Sequence, residues 1–386
     1  MKEILKEKTL QIPIVYENKS CEKAVDKVFE KYISTLVEYS VNSELIGSVR
    51  KFQKHVKDMY TQYYLGHQNR AYEEFKIAIQ TLMNGNPLFY DVVPDDVFYR
   101  ARVNENNLDY KNDEMFHIKY DLRGKVSTQR FSFPGLPCLY LGLSTYVCWQ
   151  ELNRPIFAEF QVAAIKRKNP NKTFKVIDLA LHPISLYNQM NLGKKTCDIN
   201  DYLRLWPIIA ASSVVVKNEG DPFKPEYIFP QFMLQYLLED ISEEMIIGIK
   251  YISVKVGKIS NKQYEDEPKL YMNYVFPIQS KKGFCEKLSQ EFEIFRNYSG
   301  RELVVLTDSA RETGMEWIDL DKPIQETNPL DAASLYDTNG CPYSYKNSIF
   351  RRMEIILNNE NNNNYNADGK LIIKPISKEE IDNLFI

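Results

Sequence analysis

The apolar residues of this 386-residue chain change period once, at Asn84-Gly85-Asn86-Pro87, and that break constrains the fold more than any other feature. Before it, apolar side chains recur every three to four residues. Val25, Val28, Phe29, Ile33, Leu36 and Val37 form one stripe, Ile46, Val49, Phe52, Val56, Met59 and Tyr63 a second, and Tyr72, Phe75, Ile79 and Leu82 a third. This spacing predicts three amphipathic helices, with Ser43 capping the second. Gly85 and Pro87 end the third. Such stripes are packing seams and carry no chemistry.

Beyond the break, short apolar or alternating runs predict strands over 97–103, 138–142, 157–162, 174–178, 246–256 and 271–276. Helices are expected between them over 145–152, 201–215 and 230–238. The tail mixes a strand over 303–306 with helices over 285–295 and 345–357. An asparagine-rich loop follows over 358–366, then a strand leading into a short acidic helix over 370–386. The pattern predicts an α+β chain in three parts: a helical domain over 1–86, a core over 90–281 and an acidic α/β extension over 282–386. No GxGxxG or GxxxxGK[ST] is present, so neither a Rossmann nor a P-loop nucleotide site is supported.

Charge narrows the function. The net charge of −3 divides into +2 over 1–89, +1 over 90–281 and −6 over 282–386. No part is basic enough for the counterion release that drives nucleic-acid binding. The densest basic cluster, Lys166, Arg167, Lys168 and Lys172, surrounds Asn169, Pro170 and Asn171 and reads as a solvated turn. No apolar run is long enough to span a bilayer, and residues 1–20 lack a signal-peptide core, so a cytoplasmic protein is expected. Cys21, Cys138, Cys148, Cys197, Cys285 and Cys341 contain no close CxxC pair and read as reduced thiols. His55, His67 and His182 show no metal-ligand spacing; no metal is expected.

The chemistry concentrates in Phe98-Tyr99-Arg100-Ala101-Arg102 and in the stretch from Arg130 to Pro155. Arginine presents a planar fork suited to phosphate or carboxylate. Tyrosine offers a flat face for a ring. A carboxylate can stabilise an oxocarbenium-like sugar cation. Together these residue types could hold a dinucleotide while its ribosyl bond breaks.

The blocks Phe98-Tyr99-Arg100, Arg130-Phe131-Ser132-Phe133-Pro134-Gly135-Leu136-Pro137-Cys138-Leu139-Tyr140-Leu141, Ser144, and Trp149-Gln150-Glu151 are followed by Glu226-Tyr227-Ile228-Phe229-Pro230-Gln231. Gly248-Ile249-Lys250-Tyr251-Ile252-Ser253 and Asn273-Tyr274-Val275-Phe276 complete the series. In this order, across roughly half the chain, they resemble the RES-domain family, named for a recurrent arginine, glutamate and serine. The resemblance implies an ADP-ribosyltransferase-like split β-sheet core and a bacterial toxin paired with a helix-turn-helix antitoxin. It also implies NAD as substrate rather than as prosthetic group, consumed by phosphorolysis, with inorganic phosphate as co-substrate, or by hydrolysis. Small members dimerise, so a homo-oligomer is expected.

Carried over residue by residue, the resemblance makes Arg100 the residue that grips the NAD phosphates or ribose. Arg130 would neutralise pyrophosphate, Tyr140 would lie against nicotinamide, and Glu151 would stabilise the developing ribosyl cation. Alternatives stand beside each. Strand alternation sends Arg102 to the same face as Arg100, so either could bind. Tyr140 could be plain core, Glu151 could pair with Arg154 at a helix end, and Ser144 could cap the helix from Thr145. A serine expected after Pro230 is replaced by Gln231, which leaves Ser253 as the preferred serine and Ser212 and Ser213 as packing residues. His117 reads as a structural histidine.

Three functions follow from the resemblance: cleavage of NAD, transfer of its ADP-ribose to a macromolecule, or silent binding of NAD or a partner. The extensions exceed a minimal toxin. They would restrain the active site, mediate oligomerisation or sense a trigger such as phage infection.

Overall fold

The computed structural model describes residues 1–17, 20–83, 90–93, 97–104, 109–169, 171–194, 197–241, 243–255, 268–303, 345 and 348–358. The expected strand over 304–306, the asparagine run from 359 and the segment 370–386 lie outside them. Leu303 itself is helical. The chain contains helices and a mixed set of strands, the α+β class that the sequence predicts. It divides into two compact units, each assembled from three separate stretches: 1–94, 118–140 and 171–285 in the first, 95–117, 141–170 and 286–386 in the second.

The first unit opens with α1 (Cys21–Glu38), α2 (Ser43–Tyr64) and α3 (Gln68–Met83). Asn42, not Ser43, caps α2, accepting the Glu44 N–H at 2.7 Å. An Asx side chain reaches the second helical N–H, and Ser43 becomes the first helical residue. Most stripe residues are buried; Val28, Ile46 and Tyr63 are half-buried and Val37 of α1 is exposed. α6 (Pro183–Asn191), α7 (Ile199–Ser212) and α8 (Ile228–Glu239) follow in the same unit.

Aromatic rings bind these helices into one core. Tyr32 of α1 lies 4.2 Å from the Trp206 ring of α7, and Phe75 of α3 lies 5.0 Å from Phe229 of α8. Tyr32 also donates to the Leu203 carbonyl at 2.7 Å, so its buried hydroxyl is satisfied. The strands of this unit run in the order β1 (Tyr90–Val92), β5 (Lys175–Leu179), β6 (Ile246–Ile252), β7 (Met272–Pro277) and β3 (Cys138–Gly142). β3 belongs to this unit as far as Tyr140. β5 and β6 are parallel, and α6 and α7 fall in the crossover that parallel strands require.

The second unit is antiparallel. β2 (Phe98–Val103) pairs with β4 (Phe160–Arg167), and β4 with β8 (Phe292–Tyr298). Gly142, the end of β3, pairs with Tyr99. Three helices complete it: α5 (Thr145–Glu151), α9 (Glu286–Glu291) and α10 (Ile349–Asn358); the four-residue α4 (Asn112–Met115) lies in the loop after β2. The helix expected over 285–295 stops at Glu291 and continues as β8, because pairing with β4 supplies ladder hydrogen bonds that override the helical spacing. The expected strand over 157–162 begins only at Phe160, after a single 3₁₀ turn. β4 then runs through Lys166 and Arg167, so half of the basic cluster is strand rather than solvated turn. Arg167 is buried and Lys166 stands 3.8 Å over the Phe295 ring.

Phe350 of α10 anchors the unit's aromatic core, with ring contacts to Tyr146, Trp149 and Phe157. Gly142 lets α5 approach β3 closely. A Cβ there would lie 2.6 Å from Val147 Cγ1 and 2.8 Å from Cys148 Sγ.

Candidate functional site

Within the second unit, β2, α5 and the cap of α5 carry four of the expected site residues. Arg100 and Arg102 are both half-buried on β2, but their surroundings differ. Arg102 reaches the Phe116 carbonyl at 3.5 Å, and its guanidinium lies 5.5 Å from the Tyr110 ring. Burial holds its pKa below the usual arginine range, opposed by Tyr110 and Glu114. The Arg100 charge is felt at Cys148 of α5.

Cys148 links the expected catalytic pair. Its thiol is buried and donates to the Tyr99 carbonyl at 3.3 Å. Burial pushes it up to about 12; the Gly142 backbone lowers it, the Glu151 carboxylate raises it, and the Arg100 guanidinium lowers it. Arg100 and Glu151 therefore sit within electrostatic reach of one sulfur. Glu151 is half-buried at the C-terminal end of α5. Arg154 Nε donates to Gln150 Oε1 at 2.9 Å.

Ser144 caps α5, accepting the Val147 N–H at 2.9 Å. It is fully buried, and capping accounts for its position. A second acceptor at this helix start comes from α10. Glu354 Oε1 accepts the Thr145 N–H at 2.9 Å and the Tyr345 hydroxyl at 2.6 Å, while Arg351 lies 3.5 Å from the other oxygen. Burial raises the Glu354 pKa above the carboxylate range, against the lowering effects of Tyr345, Thr145 and Arg351. Asn358 adds a bond to the Tyr99 hydroxyl at 2.8 Å. This anchor was not foreseen from the sequence. Its one visible signal is a glutamate on the apolar stripe of α10, between Phe350 and Leu357.

In the first unit, the loop 128–132 gathers three further candidates. Arg130 is buried, and its Nη1 donates to the carbonyls of Ser212 and Val214 at 3.2 and 3.0 Å, at the end of α7. A cation suits these orphan carbonyls, where the helix dipole is negative. The guanidinium also lies 5.2 Å from the Tyr227 ring. Among the described residues no carboxylate pairs with Arg130. Gln231 Nε2 donates to Thr128 Oγ1, the Gln129 carbonyl and the Ser132 carbonyl at 2.9, 3.0 and 3.1 Å. Tyr140 donates its hydroxyl to Ser132 Oγ at 3.1 Å. Arg130, Tyr140 and Gln231 are thus brought onto one loop.

Ser253 is not drawn into that cluster. It is buried at the turn after β6, where its Oγ accepts the Lys255 N–H at 3.2 Å and its own N–H donates to Tyr271. Ser213 bonds back to the Ala210 carbonyl, whereas the buried Ser212 Oγ has no partner among the described residues. His117 of the second unit is buried beside Phe116. His182 of the first caps α6, accepting the Ile184 N–H at 3.3 Å, and burial drives its pKa down to about 3.

Among the described residues no helix is long and apolar enough to cross a membrane. No family model matches the chain, and no solved structure matches it. Over 352 residues it is 29% identical to the "Putative toxin YopC" of Bacillus subtilis (strain 168), an alignment that covers 86% of this chain and 74% of that protein.

Proposed function

We propose that this chain is a toxin whose activity is the cleavage of the nicotinamide–ribose bond of NAD. The toxin role rests on the similarity to the Bacillus protein, and the chemistry on the order of RES-like blocks. The observation that bears on the reaction is that the charges of Arg100 and Glu151 both act on the buried Cys148 thiol, in opposite directions. The reaction asks for a cation on a phosphate or ribose oxygen and an anion at the ribosyl cation, the roles this reading gives to Arg100 and Glu151.

In the reaction the C1′–N bond breaks and its electron pair stays on nicotinamide, which leaves neutral without a general acid. Positive charge spreads over C1′ and the ring oxygen, and the Glu151 carboxylate stabilises it. Water or inorganic phosphate then attacks C1′ and loses its proton to solvent. Arg130, buried with no carboxylate partner among the described residues, is a separate candidate for anion binding.

Incubating the full chain with NAD and following free nicotinamide tests the proposal. Turnover that Glu151→Gln lowers by roughly 10²–10³-fold supports it; absence of turnover with and without phosphate overturns it. A second reading, binding without cleavage, is favoured by Gln231, whose amide is engaged with the loop 128–132. Equilibrium binding of NAD with no product would support that reading. Label from NAD fixed on protein or nucleic acid would point instead to ADP-ribose transfer.

A further inference from the structure

Outside the candidate active site, α2 and α3 bring together three side chains with metal-ligating atoms. His55 and Asp58 stand one turn apart on one face of α2, and Glu74 faces them from α3. Their donor atoms all lie within 4.8 Å of one another, and all three residues are half-buried. His55 Nδ1 is 2.7 Å from Glu74 Oε2.

Asp58 has no hydrogen-bond or ion-pair partner among the described residues. Two carboxylates therefore converge with no lysine or arginine bridging them. Lys57, the neighbour of Asp58 in sequence, turns to Asp26 at 3.8 Å. A lone imidazole is a poor counterion for two carboxylates unless it is protonated, whereas a divalent cation neutralises both.

We propose that His55, Asp58 and Glu74 form a binding site for a divalent transition-metal ion of the zinc class. One nitrogen and two oxygens are a donor set used by zinc, and the imidazole favours such ions over magnesium or calcium. Bonds of about 2.0–2.2 Å to each atom would place the donors roughly 3.3 Å apart. Small side-chain rotations reach this: Glu74 draws back from His55, and Asp58 closes in. The metal takes the place of the proton between His55 and Glu74, and water completes the coordination. Spacing along the sequence does not display the site because its third ligand lies on the next helix. The ion would tie α2 to α3 and is independent of the reading of the chain as an NAD-cleaving enzyme.

Titrating the full-length, metal-stripped chain with cobalt(II) tests the site. The expected result is one equivalent bound with weak visible bands and no near-ultraviolet thiolate band. The melting temperature should rise with zinc. Both effects should be lost in Asp58→Asn and Glu74→Gln, while the circular dichroism of these near-isosteric variants stays that of the parent. No cobalt binding, a thiolate band, or binding that survives both substitutions would overturn the proposal.

Discussion

Glu354 accepts the backbone N–H of Thr145 at 2.9 Å across 209 positions of sequence. The first free N–H of α5 is thereby satisfied by a carboxylate from α10, beside the Ser144 cap at the same helix end. The helix that carries Glu151 at its other end is held by the tail of the chain, so the extension is built into the unit that contains the proposed chemistry.

Removing that carboxylate leaves buried donors unpaired. Glu354→Ala strands the Thr145 N–H and the Tyr345 hydroxyl, at a cost of about 1–3 kcal/mol each at most, and Glu354→Gln costs less because it keeps an acceptor. Urea denaturation followed by tryptophan fluorescence measures both. The pH dependence has a definite sign. With its folded pKa raised, Glu354 contributes stability that is present below its unfolded value and lost as pH rises through the folded value. Glu354→Gln should remove that loss.

His182 titrates with the opposite consequence. Its folded pKa of about 3 lies below the ordinary 6.5, so the unfolded chain takes up the proton first. Stability is full above pH 6.5 and falls by up to about 1.4 kcal/mol per pH unit below it. His182→Asn keeps an acceptor for the Ile184 N–H and should flatten the acid side of the profile. Melts at pH 7 and pH 5 read the difference.

For the proposed reaction, Glu151→Gln should lower the rate of nicotinamide release by roughly 10²–10³-fold, the loss expected when a group stabilising transition-state charge is removed. KM for NAD should change little. Arg100→Ala should raise KM as well. Initial rates over a range of NAD concentrations separate the two, and an Arg102→Ala control should show the smaller effect.

Gly142→Ala tests the close approach of α5. Its Cβ would meet Val147 Cγ1 at 2.6 Å and Cys148 Sγ at 2.8 Å, so the helix must shift. A stability loss of about 1–3 kcal/mol is expected, together with reduced turnover. Thermal melts and nicotinamide release report the two consequences side by side.

The sequence displayed the elements better than their ends and partners. The stripe Phe52, Val56 and Met59 is visible because helical burial repeats within one segment. β8 was hidden because Cys285, Leu288, Phe292 and Phe295 keep helical spacing, and only the pairing of Phe292–Tyr298 with β4 makes the second half of that run a strand. The pairing of Arg100 with Glu151 comes only from the resemblance. The anchoring of α5 by Glu354 was not legible, since no local pattern relates residues so far apart. Ser144 shows the reverse case: its capping role is written in the residue that precedes the helix.

The interleaving of the two units sets an order in time. A ribosome adds about 5–20 residues per second, so roughly 10–40 s pass between the synthesis of Thr145 and that of Glu354, 209 positions later. Throughout that interval the helix bearing Glu151 exists without its distal anchor. Under the proposed toxin role, translation itself would serve as a delay line.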